Sequence, residues 1–198
     1  MKKILVADRD RRMAEYVAGL LPKGYFDENL LHYSQKDAVN AIADDAGIRM
    51  LVTGMELEGG SGLELCRAIR GDYKAGQAFD AAFPEKVPDR LSAEDNERIL
   101  SARMRLYADD FFNGDEQKVV KLLMKRRMPI ILMQADQEYL PSCYDVEFSV
   151  NHSMGFSGIV RGKPVFDDGK PHYQFSSSED GFRKKLGYEI GRFVAALS

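Results

Sequence analysis

A few residues of the 198-residue chain have types and spacings that could do chemistry. Asp8, Arg9 and Asp10 stand directly after the first apolar run. Gly54, Gly59, Gly60 and Gly62 form a loop able to approach an anion or a flat cofactor. That spacing is neither the Gly-x-Gly-x-x-Gly of a dinucleotide site nor a phosphate loop with its Lys. Cys143 and His152 would serve as nucleophile and base only if the fold brought them together, and their spacing gives no sign of it. Ser153-Met-Gly-Phe-Ser157-Gly is not the Gly-x-Ser-x-Gly of a nucleophile elbow. His32, His152 and His172 lack metal-ligand spacing. The residues argue for no catalytic set, no metal and no cofactor.

Composition narrows the class. The chain is 44% hydrophobic and 30% charged, as in ordinary globular proteins. A net charge of -3 gives no case for nucleic acid, which needs a clustered basic face. The runs Lys121 to Arg127 and Arg183 to Lys185 read as solvated helix faces. No apolar run approaches the ~18 residues of a membrane span. Four apolar residues after Met-Lys-Lys are too few for a signal-peptide core. The expectation is a cytoplasmic chain with Cys66 and Cys143 reduced.

Elements must position these residues. Lys3 to Ala7 reads as a buried parallel strand, and Asp10 as the cap of a helix carrying Met13, Tyr16, Val17, Leu20 and Leu21. Leu30 to Tyr33 is a second strand, and Ser34 caps a helix with Ala38, Val39, Ile42 and Ala43. Ile48 to Thr53 is a third strand, and Gly62 to Arg70 a third helix with Cys66 on its apolar face. This alternation predicts a parallel sheet wrapped by helices, with its site at the carboxyl ends of strands one and three. Ser92 and Asp95 form a capping box for a helix over residues 97–112. A further helix is expected over residues 115–127, and Met128 to Gln134 is a very apolar strand. Tyr144 to Val150 and Gly158 to Gly162 both alternate as strands do. Asp167-Asp-Gly is a hairpin turn, and Phe182, Leu186, Ile190, Phe193 and Val194 stripe a last helix.

Three blocks of the chain resemble the response-regulator receiver family: Ile4 to Met13, Gly47 to Arg70, and Pro129 to Ala135. The second is the most specific, through Gly62-Leu-Glu-Leu-Cys-Arg-Ala-Ile-Arg70. The resemblance implies an α/β, flavodoxin-like, five-stranded parallel sheet with helices on both faces. On this reading residues 1–198 form one receiver-like domain, with a helical insertion at about 71–114 and a hairpin at about 153–177.

The family's chemistry needs paired acids for Mg²⁺ after strand one and an Asp nucleophile after strand three. It also needs a Ser or Thr after strand four and a Lys after strand five. Here the acid pair is Asp8-Arg9, the nucleophile position is Gly54, and the Ser/Thr position is Gln134. The Lys position falls either near Asn151 or at Lys163, depending on which alternating segment is strand five. Arg9 beside Asp8 reads either as a built-in counter-ion in place of the metal or as a surface Arg at a helix start. The resemblance thus implies a degenerate phosphorylation pocket and a phosphorylation-independent, non-enzymatic signalling domain. Such a domain acts through protein partners, including a homodimer through the last strand and helix. The alternative is a flavodoxin-like protein binding a small ligand, flavin or nucleotide. In the insertion, Tyr107, Phe111 and Phe112 beside Asp109-Asp110 offer a partner surface, unless Tyr107 and Phe111 pack back on the sheet.

Overall fold

A computed structural model describes residues 2–25, 30–85, 88, 90–134, 146–149, 164–167, 170–174 and 179–197. It is an α/β structure. The first half alternates: β1 (Lys3–Ala7), α1 (Arg11–Gly19), β2 (Leu31–His32), α2 (Gln35–Asp44), β3 (Ile48–Gly54). A small hairpin follows, β4 (Glu56–Leu57) with β5 (Gly60–Ser61), and then α3 (Gly62–Arg70). Three helices precede the next strand: α4 (Ala75–Ala82), α5 (Ala93–Phe112) and α6 (Glu116–Leu123). The remainder is β6 (Ile130–Gln134), β7 (Val146–Ser149), β8 (Pro164–Asp167), β9 (Lys170–Gln174) and α7 (Glu179–Leu197).

Strands β2-β1-β3-β6 form a parallel sheet. Among the described residues it continues through β7 and β9, both parallel, to the antiparallel edge strand β8. The sheet therefore has seven described strands rather than five. The hairpin around Asp167 is not an appendage: β9 pairs with β7 and carries β8 into the sheet.

Period-two alternation gives the central strands two buried faces. Leu5, Ala7, Leu51, Ile130 and Leu132 face α2, α3, α5 and α6. Ile4, Val6, Met50, Val52, Ile131 and Met133 face α1 and α7. Helix starts are fixed by side-chain oxygens. Asp10, Ser34 and Asp115 cap α1, α2 and α6, and Ser61–Glu64 and Ser92–Asp95 form capping boxes on α3 and α5.

The insertion departs most from expectation. Residues 71–83 contain α4, although its first residue is preceded by Lys74 in a left-handed conformation with no side-chain cap. Helix α6 stops at Leu123, short of the expected Arg127. Beyond it, Lys125 donates to the carbonyls of Asp45, Ala46 and Ile48 at 3.2, 3.0 and 2.8 Å. The aromatics of α5 are not a surface. Tyr107, Phe111 and Phe112 are 0%, 3% and 5% exposed and belong to the core that α2 and α3 share. This corrects the partner-surface expectation, and its reason is packing. Tyr73 meets Tyr107 edge-on at 5.4 Å and Phe111 at 4.8 Å. The Tyr107 hydroxyl accepts from the Tyr73 backbone N–H at 3.0 Å. Asn40 on α2 donates to the Phe111 carbonyl at 2.9 Å. Among the described residues of the insertion, the large apolar side chains that are exposed are Leu91 and Leu100, an ordinary occurrence.

Because Phe111 fills this shared core, Phe111→Ala should cost about 3–5 kcal/mol of stability. Chemical denaturation should read this as a lower midpoint with an unchanged slope. A loss below about 1 kcal/mol would mean that α5 is not part of the core.

Candidate functional site

The carboxyl ends of β1 and β3 meet at Asp8 and Gly54. The register pairs Ala7 with Thr53, so the next residue of each strand stands side by side. Gly54 pairs with Met133 of β6, one residue before Gln134. Four sequence-predicted positions, Asp8, Arg9, Gly54 and Gln134, thus gather at one end of the sheet by backbone placement. Lys163 and Asn151, the two candidates for the remaining position, lie outside the described residues.

Gly54 does more than omit a side chain. A Cβ added there would collide with the Asp8 carboxyl, Oδ2 first. The carboxyl occupies the volume that any residue at 54 would need. Among the described residues it is held there by one hydrogen bond: the Asp10 N–H donates to Asp8 Oδ1 at 2.8 Å. Asp10 also caps α1 by accepting from the Arg12 N–H, so one tight turn serves both purposes.

Asp8 is 9% exposed. Burial drives its pKa up from 3.8 to about 7. The Asp10 N–H opposes that shift, and the charges of Asp10 and Glu56 add to it. Arg9 does not supply the counter-charge. Its guanidinium is exposed and turns outward to Glu56, at 3.7 Å. The counter-ion expectation is therefore corrected, since Arg9 behaves as a surface residue at a helix start. Such an exposed pair contributes little. His32, beside Ala7 in β2, has its pKa lowered by burial and brings no strong cation.

The glycine loop is filled by the protein itself. A side chain at Gly60 would collide with the Gln35 amide, and one at Gly62 with the Gly54 carbonyl. Thr53, fully buried, donates to that same carbonyl at 3.0 Å. Gly59, at φ 74°, faces open space and makes the β4–β5 turn. Three of the four glycines thus permit close packing of loop on loop rather than a cradle for a flat ligand.

The hairpin was not legible in the sequence. Strands of two residues carry no alternation to detect. The signal available was Glu58-Gly59 between Leu57 and Gly60, a turn dipeptide in what reads as a plain loop. Gln35 was also missed. It is 4% exposed, and its Nε2 finds no hydrogen-bond acceptor among the described residues. Cys66 is buried in the α3 face as expected. Among the described residues no group of three His, Cys, Asp or Glu could hold a metal ion, and no helix is long and apolar enough to cross a membrane. No family model, curated protein or solved structure matches the chain.

The Asp8 shift sets a pH dependence of unusual sign. The folded state binds this proton more tightly than the unfolded state, so the contribution to stability is fully present below about pH 4. It is lost as pH rises toward 7, by up to roughly 4 kcal/mol. Asp8→Asn keeps the shape and removes the titration. Urea denaturation from pH 4 to 8 should show a decline in the wild type that is reduced in the variant. Parallel curves would mean that Asp8 titrates normally.

Proposed function

We propose that this chain is a receiver-like regulatory module of flavodoxin-like fold that works without phosphoryl transfer, by binding protein partners. The observation that carries this reading is the Asp8 carboxyl lying in the volume that a side chain at 54 would occupy. A phospho-accepting carboxylate needs open space in front of it for the phosphoryl donor. Here the residue at 54 has no nucleophile, and the space beside it is taken by the carboxyl of Asp8, whose proton burial retains up to about pH 7.

Three further features support it. The strand order β2-β1-β3-β6-β7, in a sheet that continues through β9 and β8, supports the reading by its likeness to the 2-1-3-4-5 order of flavodoxin-like folds. Helices α1 and α7 share one side of the sheet, and α2, α3 and α6 the other. Arg9, standing where such a domain has its second acid, pairs with Glu56 and adds no oxygen ligand for a hard cation. Partner contacts are then set by shape rather than by modification. The outward side of α7, with Lys184, Tyr188 and Arg192 exposed, is the face that this reading assigns to pairing with a second copy.

The test is direct. Incubation with acetyl phosphate, or with beryllofluoride, in the presence of Mg²⁺ should leave the intact mass, the amide NMR spectrum and the elution volume unchanged. A gain of one phosphoryl group mapped to Asp8, Asp10 or Glu56 would overturn the reading.

A further inference from the structure

The β4–β5 hairpin lies over the carboxyl ends of β1 and β2 and is laced to both by backbone bonds. The Arg9 N–H donates to the Glu56 carbonyl at 2.9 Å. The Glu58 N–H donates to the Tyr33 carbonyl at 2.9 Å, and the Gln35 N–H donates to the Glu58 carbonyl at 3.0 Å. At its base the Gly62 N–H donates to the Met55 carbonyl at 2.7 Å. Leu57 is the hairpin's one core anchor, and Gly60 packs on Gln35. Two-residue strands give such a hairpin little stability of its own, so these few bonds decide whether it stays down.

One of the bonds leaves from Arg9, the neighbour of Asp8. Every charged group that faces Asp8 from the described elements argues against an ionised carboxyl. Asp10 in the β1–α1 loop and Glu56 on the hairpin are both acids. The Arg9 guanidinium is turned outward to Glu56. His32 on β2 lies half-buried with its charged form disfavoured. Gly54 at the end of β3 has no side chain, and among the described residues the single donor to the carboxyl is the Asp10 N–H. Asp8 is only 9% exposed in place, so fuller hydration of its ionised form draws the carboxyl out of the volume over Gly54, and the next residue, Arg9, is tied to the hairpin by its backbone N–H.

We propose that the β4–β5 hairpin is a proton-controlled strap, closed over the ends of β1 and β2 while Asp8 is neutral and loosened when Asp8 ionises. The carboxyl gives up its proton to water, and no covalent change is involved. The device does not depend on the chain being receiver-like, since it needs only the hairpin, its bonds and the Asp8–Glu56–Asp10 group. It would make exposure of residues 55–61 respond to pH near neutrality.

Amide hydrogen exchange of Glu58 and Gln35, each corrected for the intrinsic pH dependence of exchange, reads the strap directly. Protection of both amides in the wild type should fall at least about tenfold between pH 6 and 8. Asp8→Asn should remove the step. Glu56→Gln should move its midpoint to lower pH, because the like charge that opposes ionisation of Asp8 is gone. His32→Gln should leave the step in place. Flat protection in the wild type would overturn the proposal, and so would a step that survives in Asp8→Asn or disappears in His32→Gln.

Discussion

The site depends on one close approach, that of the Asp8 carboxyl to the bare Cα of Gly54. Two neighbouring parallel strands end side by side, and one supplies the volume that the other fills. The approach requires a glycine at 54, and it requires the Asp8 side chain to be drawn in by the Asp10 N–H. Once buried there without a cation among the described residues, the carboxyl favours its protonated form. A neutral acid then costs far less to keep inside than a charged one would.

The loops above the sheet follow the same logic. Gly60 admits the Gln35 amide and Gly62 admits the Gly54 carbonyl, so the β3–α3 connection settles directly onto the two strands before it. Backbone bonds from Arg9, Glu58, Gln35 and Gly62 complete the lacing. Among the described residues, the carboxyl ends of β1, β2 and β3, where α/β proteins usually open a crevice, are packed by the chain's own groups. On the proposed reading, this packing weighs as much against phosphoryl transfer as the absence of a carboxylate at 54 does. It leaves the outer faces of the helices as the surfaces on which the proposed regulatory role would rest.

Much of this was written in short-range chemistry that a sequence displays. Asp10, Ser34 and the Ser92–Asp95 pair announce helix starts because capping uses specific side chains at fixed offsets. The apolar runs at residues 3–7, 48–53 and 130–133 announce buried strands. Helix α4 escaped notice because Lys74 offers no cap and Gly76 weakens the pattern. Tyr107 and Phe111 gave no sign of which way they face, since their partner Tyr73 lies a whole helix away in the chain. The meeting of Asp8, Arg9 and Gly54 was legible as a set of positions. The outward turn of Arg9 toward Glu56 was not, because it depends on the hairpin fold of residues 56–61.

The most direct measurement is the ¹³Cγ chemical shift of Asp8 followed through a pH titration, in the wild type and in Gly54→Ala. The packing described above predicts a wild-type midpoint near 7, set by burial. In Gly54→Ala the added methyl displaces the carboxyl toward water, and the midpoint should move down toward the ordinary carboxylate range. A wild-type midpoint near 4, or one that the methyl group leaves unmoved, would contradict the claim that Asp8 fills the place of a side chain at 54.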